Sequence, residues 1–113
     1  HYPFSGDGFV YDAFGTNTRK STGVVPGVTV TNQHVYSVIS KSGSWANYFN
    51  NTIGYSTGTN TASITSQLII GYQINGTSAQ WNGRFYELLL YNSDQGANRT
   101  IISDNLRYRY SLY

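Results

Sequence analysis

Residues 44–57 read SWANYFNNTIGYST, and this stretch decides the fold. Two short runs, 44–49 and 52–57, flank the pair Asn50-Asn51. A two-residue hairpin turn requires positive φ at its central positions, and asparagine tolerates that conformation best after glycine. The stretch therefore predicts an antiparallel β-hairpin.

Further strands are predicted on both sides of the hairpin. Residues 34–40 (HVYSVIS) are rich in β-branched side chains and end at the turn Lys41-Ser42-Gly43. Residues 8–14 (GFVYDAF) lie between two glycines, and residues 67–73 (QLIIGYQ) form another apolar run. Residues 84–92 (RFYELLLYN) are apolar on both faces, which predicts a central strand buried on both sides.

The C-terminal part changes period. Ser93-Asp94 is typical of a helix cap, and a helix is predicted over about residues 95–109. Ile102, Leu106 and Tyr110 recur every four residues, and Ile101 and Tyr108 flank this apolar stripe. The predicted fold class is thus all-β, with one short C-terminal helix.

Composition limits the possible functions. The 113 residues suit one domain, and only 11% of them are charged, with a formal net charge of +2. Basic residues are scattered, which argues against a nucleic-acid interface. No apolar run approaches the roughly 20 residues of a membrane span, so membrane insertion is not expected. The chain has no cysteine, which excludes disulfides and thiolate zinc sites.

Five segments in chain order carry a family resemblance that spans nearly the whole sequence: 6–23, 34–52, 68–71, 81–91 and 103–110. They resemble the concanavalin A-like lectin/glucanase superfamily, specifically the laminin-G-like modules of phage and bacterial surface proteins. The most specific part is WNGRFYELLLY (81–91), followed by SDNLRYRY (103–110), which is similar to the family's closing helix.

The resemblance implies a single domain over residues 1–113, folded as an antiparallel β-sandwich (jelly roll) and displayed on an extracellular or virion surface. Such modules usually run longer and have further strands before the point that corresponds to His1. The chain is therefore expected to be either a truncated or a minimal version of the module.

No catalytic residues are predicted, so we do not expect an enzyme. Glycanases of the superfamily carry the pattern Glu-x-Asp-x-Glu on one strand, because hydrolysis needs paired carboxylates. No two acids of this chain lie two residues apart. Glu87 is predicted to be a structural residue, satisfied by Arg84 or by a backbone group. His34 is predicted to be an ordinary strand-end residue.

Metal binding is not predicted either. Many relatives bind calcium, which takes six or more oxygen ligands. Asp7, Asp12 and Asp94 are the only plausible anchors, and they lack the spacing of a calcium loop. We expect no cofactor, with calcium left as the alternative.

Sugar recognition is the leading functional hypothesis. Aromatic rings stack on sugar faces while amides bind the hydroxyls, and the chain has 11 Tyr and two Trp. The ligand-binding residues predicted on this basis are Trp45, Tyr48, Tyr72, Trp81 and Asn82. The alternative for Trp45 and Trp81 is burial in the core, as tryptophan is highly buried on average.

Three functions are compared. The first is a non-catalytic module that binds a glycan or cell-surface receptor, within a phage tail fibre or another virion or cell-surface protein. The second is a structural decoration or fibre-head protein that contacts other copies, or other parts of a larger surface assembly. The third, a glycan hydrolase, is disfavoured by the missing carboxylate pair.

Overall fold

The computed structural model describes residues 9–16, 18–23, 29, 31–63 and 82–112. These contain a two-stranded antiparallel ribbon, a three-stranded antiparallel sheet and a helix. The elements are β1 (Tyr11–Asp12), β2 (Lys20–Ser21), β3 (Tyr36–Lys41), β4 (Ser44–Phe49), β5 (Thr52–Thr57) and α1 (Arg99–Arg109). A β-rich fold with one short C-terminal helix is confirmed, whereas the concanavalin A-like sandwich stays a prediction.

The predicted hairpin is present at its predicted position. Phe49 pairs with Thr52, which leaves Asn50 and Asn51 as a two-residue turn between β4 and β5. Asn50 has a φ of 54°, in the left-handed region that asparagine tolerates, whereas Asn51 does not have the positive φ expected of it. Its backbone N–H donates to Val35 O at 2.7 Å, and its Oδ1 accepts from Val35 N at 3.0 Å. The turn is therefore tied to the chain that enters β3.

One face of β4 packs against the ribbon. Trp45, Asn47 and Phe49 alternate along this face, and each has an exposed fraction of 0%. The Lys20 ammonium lies 4.9 Å from the centre of the Trp45 ring. The Tyr36 hydroxyl on the neighbouring strand donates to a carboxylate oxygen of Asp12. The core between ribbon and sheet is thus part aromatic and part polar.

The other face of β4 and the hairpin turn contact α1. The Arg99 guanidinium lies 3.9 Å from the centre of the Tyr48 ring. Ser103 is 1% exposed, and its hydroxyl donates to Asn50 O at 3.1 Å. Asn51 Nδ2 donates to Asp104 Oδ1 at 2.6 Å. The helix is therefore fixed by polar contacts to the turn that the two asparagines form.

The helix begins later than predicted. It spans Arg99–Arg109, and Ser93-Asp94 does not cap it. Asp94 instead accepts from Gly96 N at 2.9 Å and from the Lys41 ammonium at 2.6 Å, so its carboxylate is already engaged in a turn. At the other end, Ser111 has a φ of 54° and Leu112 N donates to Arg107 O at 2.8 Å, which closes the last turn.

The predicted apolar stripe of Ile102, Leu106 and Tyr110 is half-buried, as expected for the packed side of a helix. Its two flanking residues, Ile101 and Tyr108, are exposed. No helix of the described part of the chain has the length and apolarity needed to cross a bilayer.

The predicted strand over residues 84–92 is wrong. These residues pair with no other described strand, and their apolar side chains are largely exposed. An apolar run predicts burial but does not specify a partner, and no described strand pairs with this one. The strand predicted over 8–14 shortens to Tyr11–Asp12, that over 34–40 becomes Tyr36–Lys41, and that over 67–73 lies outside the described residues.

Candidate functional site

Exposed apolar side chains are concentrated along residues 85–91 and on α1. Six side chains of this segment are between 41% and 58% exposed, while Ile101 and Tyr108 are 73% and 79% exposed. Ile101 and Tyr108 are seven residues apart and so lie on the same side of the helix. We call the following set the apolar face: Phe85, Tyr86, Leu88, Leu89, Leu90, Tyr91, Ile101 and Tyr108.

Polar contacts attach residues 85–91 to the end of α1. The Arg109 guanidinium donates to both carboxylate oxygens of Glu87, at 2.8 and 3.1 Å, and the Tyr110 hydroxyl donates to Glu87 at 2.9 Å. The Tyr86 ring packs 5.3 Å from that of Tyr110, and its hydroxyl accepts from Gln33 at 2.5 Å. The hydrogen bond to Glu87 raises the pKa of Tyr110, because losing the proton would place two anions together.

A groove of about 360 Å³ lies between this segment and the helix. Its walls are the apolar side chains of Leu89 and Tyr91 on one side and of Ile101 and Ile102 on the other. Glu87 and Arg109 also line it, and they neutralise one another. The groove therefore offers apolar contact area without an unpaired charge or a nucleophile.

The backbone of this segment has no hydrogen-bond partner in the described part of the chain. No backbone hydrogen bond joins residues 84–91 to any other described residue. The side chains of Glu87, Leu89 and Tyr91 all line the groove, and this spacing of two is that of an extended strand. The segment thus combines exposed apolar side chains with peptide groups that form no backbone hydrogen bond to another described residue.

The predicted sugar-binding residues do not form one site within the described part of the chain. Trp45 is fully buried and its Nε1 donates to Phe14 O at 3.0 Å, so it has no free face for stacking. Its prediction as a ligand-binding residue is corrected: it is a core residue. Tyr48 lies on the opposite face of β4 beneath Arg99, and Asn82 is exposed. Tyr72 and Trp81 lie outside the described residues.

The acidic residues that we considered for calcium binding are engaged elsewhere. Asp12 accepts from Phe14 N at 2.6 Å and from the Tyr36 hydroxyl, and burial raises its pKa. Asp94 forms an ion pair with Lys41, and that hydrogen bond lowers its pKa. Asp7 lies outside the described residues. Among the residues that the structure describes, no three His, Asp or Glu side chains cluster as a metal site would require.

The structural roles predicted for Glu87 and His34 can be compared with their contacts. Glu87 is satisfied by a cation, but the cation is Arg109 and not Arg84. His34 precedes β3; its Nδ1 lies 2.6 Å from Asn32 O and its ring packs 5.6 Å from that of Phe49. Burial lowers the pKa of His34, which favours the neutral ring.

The sequence interpretation missed the apolar face because it assigned residues 84–92 to the core. The sequence of α1 nevertheless indicated that a second apolar surface exists. A helix that buries one stripe needs apolar residues on one side only, and Ile101 and Tyr108 fall outside the stripe of Ile102, Leu106 and Tyr110. Surplus apolar residues on the outer side of a helix indicate a second contact surface.

Comparison with known proteins adds no relative. The chain matches no family model, and neither the curated proteins nor the solved structures include one that is significantly similar to it.

Proposed function

We propose that the protein is a non-catalytic structural module, and that its apolar face joins copies of the chain within a larger surface assembly. The observation that carries this proposal is the extent of the apolar face. The engagement of Asp12, Glu87 and Asp94 in hydrogen bonds and ion pairs supports a role other than acid–base catalysis.

The area of the apolar face supports a partner of protein size. A large side chain presents roughly 200 Å² of surface, so eight half-exposed ones leave about 800 Å² uncovered. The largest apolar patch of an ordinary monomer is about 300–600 Å². A standard protein interface buries about 800 Å² on each partner, which is comparable to the exposed area of these eight side chains taken together.

The charges of the face support a second copy as the partner. Glu87 is neutralised by Arg109, and the whole chain carries a formal net charge of only +2. Two identical faces can therefore approach without strong repulsion, whereas a charged partner would find no complementary field. Recognition of a glycan or receptor by the assembled module stays a prediction, as does its extracellular or virion setting.

Sedimentation velocity of the purified chain tests the proposal. An interface of about 1,600 Å² in total supports micromolar or tighter affinity, so we expect a dimer or larger species at micromolar concentration. Leu90→Lys should give a folded monomer, because Leu90 is 58% exposed and an ammonium group at this position stays solvated only when the face is free.

Ile53→Lys is the matched control. Ile53 is 49% exposed on β5 and is not part of the apolar face, so this variant should associate like the unmodified chain. A folded unmodified chain that remains monomeric at every concentration would contradict the proposal. So would equal loss of association in the two lysine variants.

A further inference from the structure

Residues 85–91 are not part of a strand, but they share two features with the open edge of a sheet. Their peptide groups have no hydrogen-bond partner among the described residues, and alternate side chains line the groove beside α1. Natural edge strands usually carry lysine, proline or another feature that blocks pairing with a second chain. This segment has one charged residue, Glu87, and Arg109 already neutralises it.

We propose that this segment pairs with the same segment of a second copy, as two antiparallel strands around a two-fold axis that passes between the two Leu88 residues. The inference rests on the proposed function, since it specifies how copies associate through the apolar face. Strand addition of this kind satisfies the peptide groups that have no partner among the described residues, and the apolar side chains meet across the ladder. A two-fold axis makes the contact self-complementary and closed.

The position of the axis follows from the side chains that each register brings together. Directly opposite residues of an antiparallel pair lie on the same face, so a symmetric ladder is centred on a residue and not between two residues. A centre at Glu87 would place two carboxylates opposite each other, which is destabilising. A centre at Leu89 would place Tyr86 opposite Asn92 and Phe85 opposite Ser93. Neither aromatic side chain would then face an apolar residue of the second copy.

A centre at Leu88 avoids both problems. It places Tyr86 opposite Leu90 and Phe85 opposite Tyr91, so that apolar residues meet on both sides of the ladder. Glu87 faces Leu89 of the second copy and keeps its ion pair with Arg109 on its own chain. This register therefore covers most of the segment's apolar side chains with apolar neighbours.

Disulfide trapping tests the register, and the chain is suited to it because it contains no cysteine. In Leu88→Cys the two Cα atoms would lie about 4.5–5.5 Å apart, within the range of a disulfide. In Leu90→Cys the two cysteines would be offset by four residues, about 13 Å along the strands, and would not react. We expect mild oxidation to convert Leu88→Cys to a covalent dimer and to leave Leu90→Cys as the single chain.

A mixed sample provides the positive control for Leu90→Cys. Tyr86→Cys and Leu90→Cys, each unreactive alone, should give a covalent heterodimer when mixed, because the register places them opposite each other. If sedimentation shows a dimer but Leu88→Cys does not cross-link, the register is refuted while the proposed function stands. If the chain is monomeric, both fail.

Alkylation of the cysteine identifies a different occupant of the face. A monomer in which Cys at position 88 reacts slowly with iodoacetamide would show that another part of the same chain covers the segment, and this result would overturn the inference. A monomer whose thiol reacts at the rate of a free cysteine would overturn it as well, by showing that the face stays open. Slow alkylation that becomes fast on dilution is the result expected for a second copy.

Discussion

Replacement of Trp45 by phenylalanine tests whether this residue belongs to the core or to a binding surface. Trp45 has no exposed area, donates its indole N–H to Phe14 O, and lies beneath the Lys20 ammonium. Phenylalanine keeps an aromatic ring at this position but removes part of the volume and the donor. A ligand-stacking residue would lose affinity on this change, whereas a core residue loses stability.

The structure gives the size of the expected loss. The smaller ring leaves roughly 40 Å³ unfilled, which costs about 1 kcal/mol at about 24 cal/mol per Å³. The Phe14 carbonyl loses its donor, for about 1 kcal/mol more. The Lys20 ammonium lies over a poorer ring, at a cost of about 0.5 kcal/mol. Together these effects lower the free energy of unfolding by about 2.5 kcal/mol, a large part of the ~5–15 kcal/mol of a typical domain.

Urea denaturation followed by far-ultraviolet circular dichroism measures this change. With a slope near 1.5 kcal/mol per molar urea, the midpoint should fall by roughly 1.5 M. Tyr48→Phe is the control, because it trims an aromatic residue on the opposite face of β4 and leaves its ring beneath Arg99; we expect a change within about 0.5 kcal/mol. A midpoint for Trp45→Phe within experimental error of that control would refute the core position of Trp45.

Two further predictions concern the polar contacts that hold the sheet between the ribbon and the helix. Burial raises the pKa of Asp12 above its ordinary 3.8, so the folded chain holds this proton more tightly than the unfolded chain. The stability that the protonated Asp12 contributes is complete below pH 3.8 and is lost as the pH rises through the raised pKa. The difference in urea midpoint between the unmodified chain and Asp12→Asn should therefore decrease over this pH range. A difference that stays constant with pH would contradict the raised pKa. Ser103→Ala removes the buried hydroxyl that donates to Asn50 O and should lower the free energy of unfolding by about 1 kcal/mol, whereas Ser56→Ala on the exposed side of β5 should leave it unchanged.

The hairpin could be predicted from sequence because its information is local. Two asparagines between runs of strand-forming residues specify a turn through their own backbone preference, and Asn50 has the expected positive φ. The packed stripe of α1 is local in the same sense, because a period of four is a property of one segment. The predicted start of the helix is wrong because the Asp94 carboxylate accepts from Gly96 N and from Lys41 instead of capping the helix. Lys41 is distant in sequence, so the residues around Asp94 do not reveal this contact.

Residues 84–91 and Trp45 could not be assigned correctly, because burial depends on what lies opposite. An apolar run indicates that a segment will be covered, but not whether the cover is another strand of the same chain or another molecule. Trp45 shows the converse case. Its aromatic character suits both a core and a sugar platform, and its burial follows from Lys20 and Phe14, which are 25 and 31 residues away in sequence.

In the described part of the chain, polar groups are buried next to the aromatic core, while many large apolar side chains are exposed. The space between ribbon and sheet contains Asp12, the Lys20 ammonium and the Asn47 amide, and burial lowers the pKa of Lys20 while Asn47 Oδ1 has no described hydrogen-bond partner. Large apolar side chains lie instead on the outer surface along residues 85–91 and α1. Buried polar groups cost free energy where they lack a hydrogen bond, and the exposed apolar groups add no hydrophobic stabilisation to the isolated chain. Burial of the apolar face in an assembly would add hydrophobic stabilisation, so association would raise the stability of the folded chain through this surface.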